Sequence, residues 1–359
     1  MKLLILTRYS KRGASSRIRF YQYERYFRQA GIDVTYWNLF DDRYLQLRYR
    51  EVSDIYQIKF ALHTAWRMAS HLKRLITAAK YNLIYIEGEL LPYAHWIIER
   101  GLLNKLSPFV IDYDDATYVH YREHSSILAR FLGKNKIEHL VSLAQGVIAA
   151  NPIVAKYVHA YNHNVWFIPD GIDLQRYGTP KRHDQQIGPP VIGWLGTPVT
   201  SRYIKTIENV LTTVVDRTGA RIRVVGDPGF SLTQVNVETL PWSNDNEVAD
   251  IKSFDIGIMP LDTTAFSQGK SGYKLLQYMG SGLPVVASPV GINEQIVRHN
   301  QNGFLATTNE EWIQALIRLI ESAKMRSEFG QVGYRDIQLT YSTDVLASQL
   351  LGVLKHLAE

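Results

Sequence analysis

Twice along this chain, strand-length apolar runs alternate with helix-length segments, and that succession admits few folds. In the first half, Lys2–Thr7, Asp33–Trp37, Leu83–Ile86, Phe109–Ile111, Gly146–Ala150 and Val165–Ile168 read as strands. In the second, Val191–Leu195, Arg221–Val225, Ile256–Met259 and Pro284–Ala287 restart the pattern, with a short segment at Glu238–Trp242. Runs of Val, Ile and Leu separated by helices predict parallel sheets covered on both faces. A chain of 359 residues is long for one core, so two doubly wound α/β domains are expected.

Thr179–Pro190, rich in Pro, Gly, Lys and Gln without apolar periodicity, reads as the linker between them. The expected division is residues 1–178, then 190–335, then a terminal helix over 336–359. Val345, Leu346, Leu350, Leu351 and Leu354 give that helix an apolar face, which predicts that it returns to brace the first domain. Other helices are expected after the first strand (Ile18, Tyr21, Tyr26 and Phe27 on one face), over Ser201–Asp216, and from near Ser271 to Gly280.

Hydrophobic content of 46% and charged content of 21% belong to a soluble globular protein, and the chain has no cysteine for a disulfide or thiolate metal site. Met1-Lys2 leads straight into an apolar run too short to span a bilayer, so a cytoplasmic protein is expected. The net charge of +6 is mild; it suits anionic ligands or an acidic membrane surface, and nothing else favours nucleic acid.

The stretch Asp255–Glu294 is where chemistry is expected. It reads as strand, Gly/Ser-rich loop, helix and strand, with Lys270 at the helix mouth and Lys274 one turn in. A helix N-terminus offers unpaired N–H groups and partial positive charge, which suit a phosphate, and two lysines would reinforce them. An ordinary βαβ unit with solvated lysines is the alternative.

The first half places charge at the ends of its strands. Loop Arg8–Ser16 follows the first strand, with Gly13 its only glycine and no GxGxxG fingerprint, which disfavours a dehydrogenase. Arg8, Lys11, Arg12, Arg17 and Arg19 lie near a plausible anion site there, or form a solvated basic loop. Glu87 and Glu89 end one strand, and Asp112, Asp114 and Asp115 end the next. Capping a helix accounts for one such carboxylate; three in four residues point to a cation, a base or a hydroxyl-rich acceptor. Between them, Arg43–Lys80 is basic and interleaved with Tyr, Trp and Leu. It reads either as a surface resting on anionic lipid or as a solvated helix packing its apolar side.

Several motifs resemble one family. Gly282–Ser288 (GLPVVAS), Gly291–Glu294 (GINE), Asn302–Leu305 (NGFL), Ile168–Asp173 (IPDGID) and Gly193–Gly196 (GWLG) are similar to the retaining GT-B glycosyltransferases of family 4, also described as glycosyltransferase group 1. The resemblance covers the second half by motif and the first by architecture. It implies a GT-B fold: two facing Rossmann-like domains, the first for acceptor and the second for donor. It further implies a hexosyltransferase moving sugar from a nucleotide-diphosphate sugar to an acceptor hydroxyl with retention, in polysaccharide, glycolipid or glycoconjugate synthesis. UDP is slightly favoured as the donor's nucleotide, and neither a metal nor another cofactor is expected. The acceptor is expected to be a glycan, a lipid-linked sugar or a glycoconjugate.

Where the family has E-x7-E, this chain has Gly269 and Gln277, so an amide replaces one carboxylate and nothing replaces the other. Lys270 and Lys274, with the Ser271, Gly272 and Tyr273 loop and Gln277, are therefore expected to hold the donor. Gly196, Thr197 and Arg202 would join them, and Gly226, Asp227 and Trp242 would sit near the base. Asp114 and Asp115 are the expected catalytic carboxylates; Gly13, Arg17, Arg19, Glu87, Glu89 and Asp112 complete the acceptor side. The loss of both glutamates also motivates a non-catalytic nucleotide-sugar or polymer-binding protein. A nucleotide-sugar epimerase is a third reading.

Overall fold

A computed structural model describes residues 1–48, 54–75, 77–92, 94–106, 108–183 and 188–359. The chain divides into two compact units. The first comprises Met1–Asp170, Gly269–Ser271 and Leu346–Glu359; the second comprises Gly171–Gln268 and Gly272–Val345. Parts of two expected features, 49–53 and 76 of the basic helix and 184–187 of the linker, lie outside the described residues.

The first unit holds six parallel strands: β1 (Lys2–Tyr9), β2 (Asp33–Phe40), β3 (Leu83–Glu87), β4 (Phe109–Tyr113), β5 (Gly146–Ala149) and β6 (Val165–Phe167). Their order is β2-β1-β3-β4-β5-β6. Every residue of β3, β4 and β5 is buried, which is why those runs lack polar alternation. The order reverses between β1 and β3, so their carboxyl ends open the crevice where ligands of such sheets bind. Strand β4 runs two residues beyond the expected end. Asp112 therefore lies inside the sheet, in register with Glu87.

The terminal helix Thr343–Ala358 packs as its pattern predicts. Leu346, Leu350, Leu354 and Leu357 join Leu3, Ile5, Phe20 and Tyr85 in one core. The helix expected after β1 is broken instead: Ala14–Arg19, a tight turn Tyr21–Tyr23, then Glu24–Gln29.

In the second unit, β7 (Val191–Leu195), β8 (Arg221–Val225), β9 (Val237–Leu240), β10 (Ile256–Met259), β11 (Val285–Ala287) and β12 (Gly303–Leu305) are ordered β12-β11-β10-β7-β8-β9. Counted within the unit this is the dinucleotide-fold order, with its switch point between β7 and β10. One apolar cluster covers each face: one around Trp194, Leu211, Leu316 and Phe329, the other around Phe254, Leu275, Tyr278 and Met279.

The single helix expected over Ser201–Asp216 is two, Pro198–Lys205 and Glu208–Thr218. Ile207, between them, is buried in the core, and no Gly or Pro marks the break. The helix expected from near Ser271 spans Tyr273–Gly280, two residues later than expected, because Gly272 adopts φ +73° as its N-cap. Among the described residues, no helix is long and apolar enough to cross a membrane.

Candidate active site

The second unit brings two strand ends together through their main chain. Strand β7 ends at Leu195 and β8 at Val225, and the next residue of each is glycine. Gly226 has φ +98°, and a Cβ there would stand 1.9 Å from the Gly196 carbonyl oxygen. A Cβ on Gly196 would stand 2.3 Å from the Trp194 ring. Only glycine lets these two strand ends approach each other. Gly226→Ala is thus expected to lower stability by roughly 2–3 kcal/mol from backbone strain and overpacking, read in urea unfolding of the whole chain.

Side chains close around that glycine pair. The Lys274 ammonium lies 5.3 Å from the Trp194 ring centroid, and its Cε is the next atom a Gly196 Cβ would meet. Lys274 thus reaches from the first turn of its helix to the carboxyl end of β7, at the switch point. Thr197 caps the helix Pro198–Lys205 with a reciprocal capping box to Thr200. Ser201 on that helix donates to Asp227 Oδ2 at 2.6 Å, fixing the turn after Gly226. Trp242 borders Gly226 and is anchored by its indole N–H to Glu247 Oε2 at 2.8 Å. Arg202 is exposed, donates to Tyr203 Oη at 3.4 Å and feels the charge of Asp262. Asp262, beyond the end of β10, accepts from Ser267 and Thr264, bonds that hold its carboxyl below the usual range against a desolvation that acts to raise it.

Gln277 and Tyr273 sit behind this edge. The Gln277 amide is buried and donates to Tyr177 Oη at 3.1 Å, and Tyr177 is also bonded to Tyr273. Gln277, expected from the sequence to help hold the donor, is therefore part of an internal chain of hydroxyls. Gly269 has an equally local explanation: a Cβ there would lie 2.3 Å from that of Ala116. No glutamate fits against Ala116 in this backbone.

Lys270 does not share a unit with Lys274. Gly269–Ser271 belong to the first unit, where Asn151 Nδ2 donates to the Lys270 carbonyl at 2.7 Å. The Ser271 amide, expected to face a phosphate, donates to Asp115 Oδ1 at 3.3 Å. Lys270 and Ser271 are half-buried.

Five of the six acceptor-side residues turn out to be internal. Arg19 is buried, forks onto both oxygens of Asp112 at 2.9 Å, and also donates to the carbonyls of Ile168 and Pro169. Asp112 is bonded further to Tyr85. Glu89 is buried against Lys136 (2.6 Å), Arg8 (2.8 Å) and Tyr121 (2.7 Å). Glu87 accepts from the Ser15 and Ser16 hydroxyls and from the Arg8 amide at 2.7, 2.5 and 2.7 Å. These carboxylates answer their own cations and donors within the unit, as buried charge requires. Gly13 is buried too, because Tyr9 occupies the space a Cβ would take, while Arg17 is half-buried.

Asp114 and Asp115 remain at the edge, half-buried. With them stands Asp170, a residue noted in the IPDGID motif but given no role from the sequence. Burial pushes its carboxyl up to about 6, against the pull of Arg19, with the charges of Asp114 and Asp115 adding to the rise and a bond to Ser271 opposing it. Glu87 rises from 4.5 to about 7, chiefly by burial, with Asp114 adding to it and the serine and Arg8 bonds opposing. The folded protein thus holds the Glu87 proton to a higher pH than the unfolded chain. The stability tied to it is full below the ordinary carboxylate range and is lost as pH rises towards 7. Glu87→Gln is expected to be less damaging, by up to ~3 kcal/mol, at pH 8 than at pH 5. Paired thermal-denaturation curves at the two pH values check this.

Residues 189–322 match the family described as glycosyl transferases group 1. The match lies almost wholly in the second unit. The resemblance read from the sequence is borne out, and with it the expectation of a glycosyltransferase enzyme. No curated protein sequence matches the chain. Among solved structures, sucrose-phosphate synthase from Thermosynechococcus elongatus is similar over 99% of both chains, at 14% identity and a TM-score of 0.72. HepE from Anabaena, in complex with UDP-glucose, aligns over 99% of this chain and 100% of its own, at 18% identity and a TM-score of 0.70. A glycosyltransferase from Rickettsia africae aligns over 100% and 98%, at 13% identity and a TM-score of 0.67. These likenesses, each under 25% identical, show the GT-B fold along the whole chain.

Proposed function

We propose that this glycosyltransferase moves a sugar from a nucleotide-diphosphate sugar to an acceptor hydroxyl with retention of configuration. UDP is the favoured nucleotide. The observation that carries the reading is the position of Lys274, held beside Trp194 and Gly196 at the switch point of the second unit. Sugar departure leaves negative charge on the diphosphate as an oxocarbenium-like centre forms. A fixed cation aimed at that charge contributes several kcal/mol to the transition state. Lys274 supplies this charge, and Arg202 reinforces it from the neighbouring helix. Gly196 and Gly226 let main-chain groups approach the phosphates, and Asp227 and Trp242 border the base. Lysine takes the place a divalent cation fills elsewhere, so no metal is required.

On the acceptor side Asp114 and Asp115 orient the hydroxyl, with Asp170 beside them carrying a carboxyl poised to exchange a proton near neutrality. Arg19, Glu89 and Asp112 are assigned to holding that edge in shape. The acceptor is a glycan, a lipid-linked sugar or a glycoconjugate of surface polysaccharide synthesis. Work at the cytoplasmic face of an anionic membrane follows from a lipid-linked acceptor. The HepE structure with UDP-glucose supports the choice of nucleotide.

Calorimetric titration with UDP, GDP and ADP, followed by turnover of the matching nucleotide sugars, tests the reading. UDP is expected to bind tightest and its sugar to be consumed only with acceptor present. A second reading, a nucleotide-sugar binder without turnover, is favoured by Gly269 packed against Ala116 and Gln277 tied to Tyr177. Binding with no consumption would establish it, and product formed with no acceptor would indicate an epimerase.

A further inference from the structure

The first unit exposes large apolar side chains on two of its helices. Ile97 and Ile98 stand on the helix Trp96–Leu103, and Ile127, Leu128 and Phe131 share one face of the helix Ile127–Gly133; all five are 55–74% exposed. His95 and Phe131 lie with ring centroids 6.2 Å apart, so the two groups form one patch. Apolar side chains of this size, clustered and uncovered, mark an interaction surface.

Two observations identify the occupant. The flanking charge is of one sign: Arg100, Lys105, Arg130 and Lys134 are exposed, against a single exposed acid, Glu123, over 96–105 and 120–135. Glu99, the other acid there, is fully buried against Lys136. Apolar tips ringed by cations complement an anionic bilayer. A second copy of the chain on a two-fold axis would set these cations against their own duplicates. The patch is also continuous with the acceptor edge, because its helices follow the carboxyl ends of β3 and β4. Lys136 joins Glu89, beyond the tip of β3, to Glu99 of the patch helix, which makes the base of the surface rigid.

We propose that Ile97, Ile98, Ile127, Leu128 and Phe131 dock the first unit on an anionic lipid surface, with Arg100, Arg130 and Lys134 at the headgroups. This deepens the acceptor side of the proposed function, since it sets the bilayer holding a lipid-linked acceptor next to Asp114 and Asp115. It also moves the membrane contact away from the basic helix expected over Arg43–Lys80. There, Arg67 is turned inward onto the carbonyls of Asn38 and Leu39.

Flotation of the full chain with phosphatidylcholine vesicles, with and without phosphatidylglycerol, tests the proposal. The protein is expected to float with the mixed vesicles, less with phosphatidylcholine alone and less in high salt. The variant Ile127→Ser/Leu128→Ser/Phe131→Ser should lower partitioning by roughly tenfold or more, with an unchanged thermal transition. Arg130→Glu/Lys134→Glu, which leaves the apolar tips in place, should reduce flotation with the mixed vesicles alone. The proposal is overturned if the wild-type chain does not float, or if Leu62→Ser/Trp66→Ser abolishes flotation while the triple variant does not. It is also overturned if the triple substitution dissolves a dimer and leaves flotation untouched. No nucleotide sugar is present in the assay, so failure here and failure of sugar transfer are read separately.

Discussion

Replacing Lys136 by methionine is expected to destabilise the first unit by about 3–5 kcal/mol at pH 8, the scale of a buried ion pair stripped of one partner. The ammonium is fully buried and touches Glu89 Oε2 at 2.6 Å, Glu99 Oε1 at 2.7 Å and the Leu91 carbonyl at 2.7 Å. Without it, Glu89 keeps Arg8 and Tyr121, and Glu99 keeps only the amides of Leu90 and Leu91. Glu99 is the weaker acid of the two. Burial, opposed by Lys136 and aided by Glu89, already lifts its carboxyl to about 7. Losing the ammonium lifts it further, so the variant's deficit should grow as pH rises from 5.5 to 8. Glu99→Gln added to the variant should recover part of the loss. Hydrogen exchange of the β3 and β4 amides at both pH values reads the effect in the unit concerned.

Lys274→Ala should act in the opposite way, on binding with little effect on folding. Its contact with Trp194 is worth about 1 kcal/mol at most. A charge-assisted bond to phosphate is worth about 1.5–3 kcal/mol. Affinity for a nucleoside diphosphate should therefore fall by roughly 10- to 100-fold, while the unfolding midpoint moves little. Calorimetry and thermal unfolding on one preparation give both numbers. Lys274→Arg should restore part of the affinity, which loss of packing alone would not explain.

The fold was legible because parallel strands covered on both faces are written as unbroken apolar runs, as in Leu3–Leu6 and Val285–Ala287. The terminal helix was legible for a similar reason, since Leu346, Leu350 and Leu354 recur at helical spacing and enter one core. The placing of three residues was also within reach: Gly196, Gly226 and Lys274 each stand just past a strand or just inside a helix. Breaks without a Gly or Pro, such as that before Ile207, left no mark in the periodicity.

The partners of the acidic edge lay beyond the reach of any local pattern. Glu87, Glu89 and Asp112 look like open carboxylates at strand ends, but their partners come from elsewhere in the chain. Arg19 meets Asp112, and Lys136 comes from the start of the helix Lys136–Leu143. Asp170 was passed over for the same reason, because its perturbation arises only where burial, Arg19, Asp114 and Asp115 converge. Gly269 could be seen as a departure from the family, though not as the only residue that fits beside Ala116.

The central claim is that the donor's diphosphate is received at the carboxyl end of β7, beside Gly196, by the Lys274 ammonium. A crystal structure of the chain with UDP tests it most directly. The account predicts a phosphate oxygen about 3 Å from Lys274 Nζ, with the base towards Asp227 and Trp242. A diphosphate bound away from Lys274 and from the Gly196–Gly226 pair would contradict it.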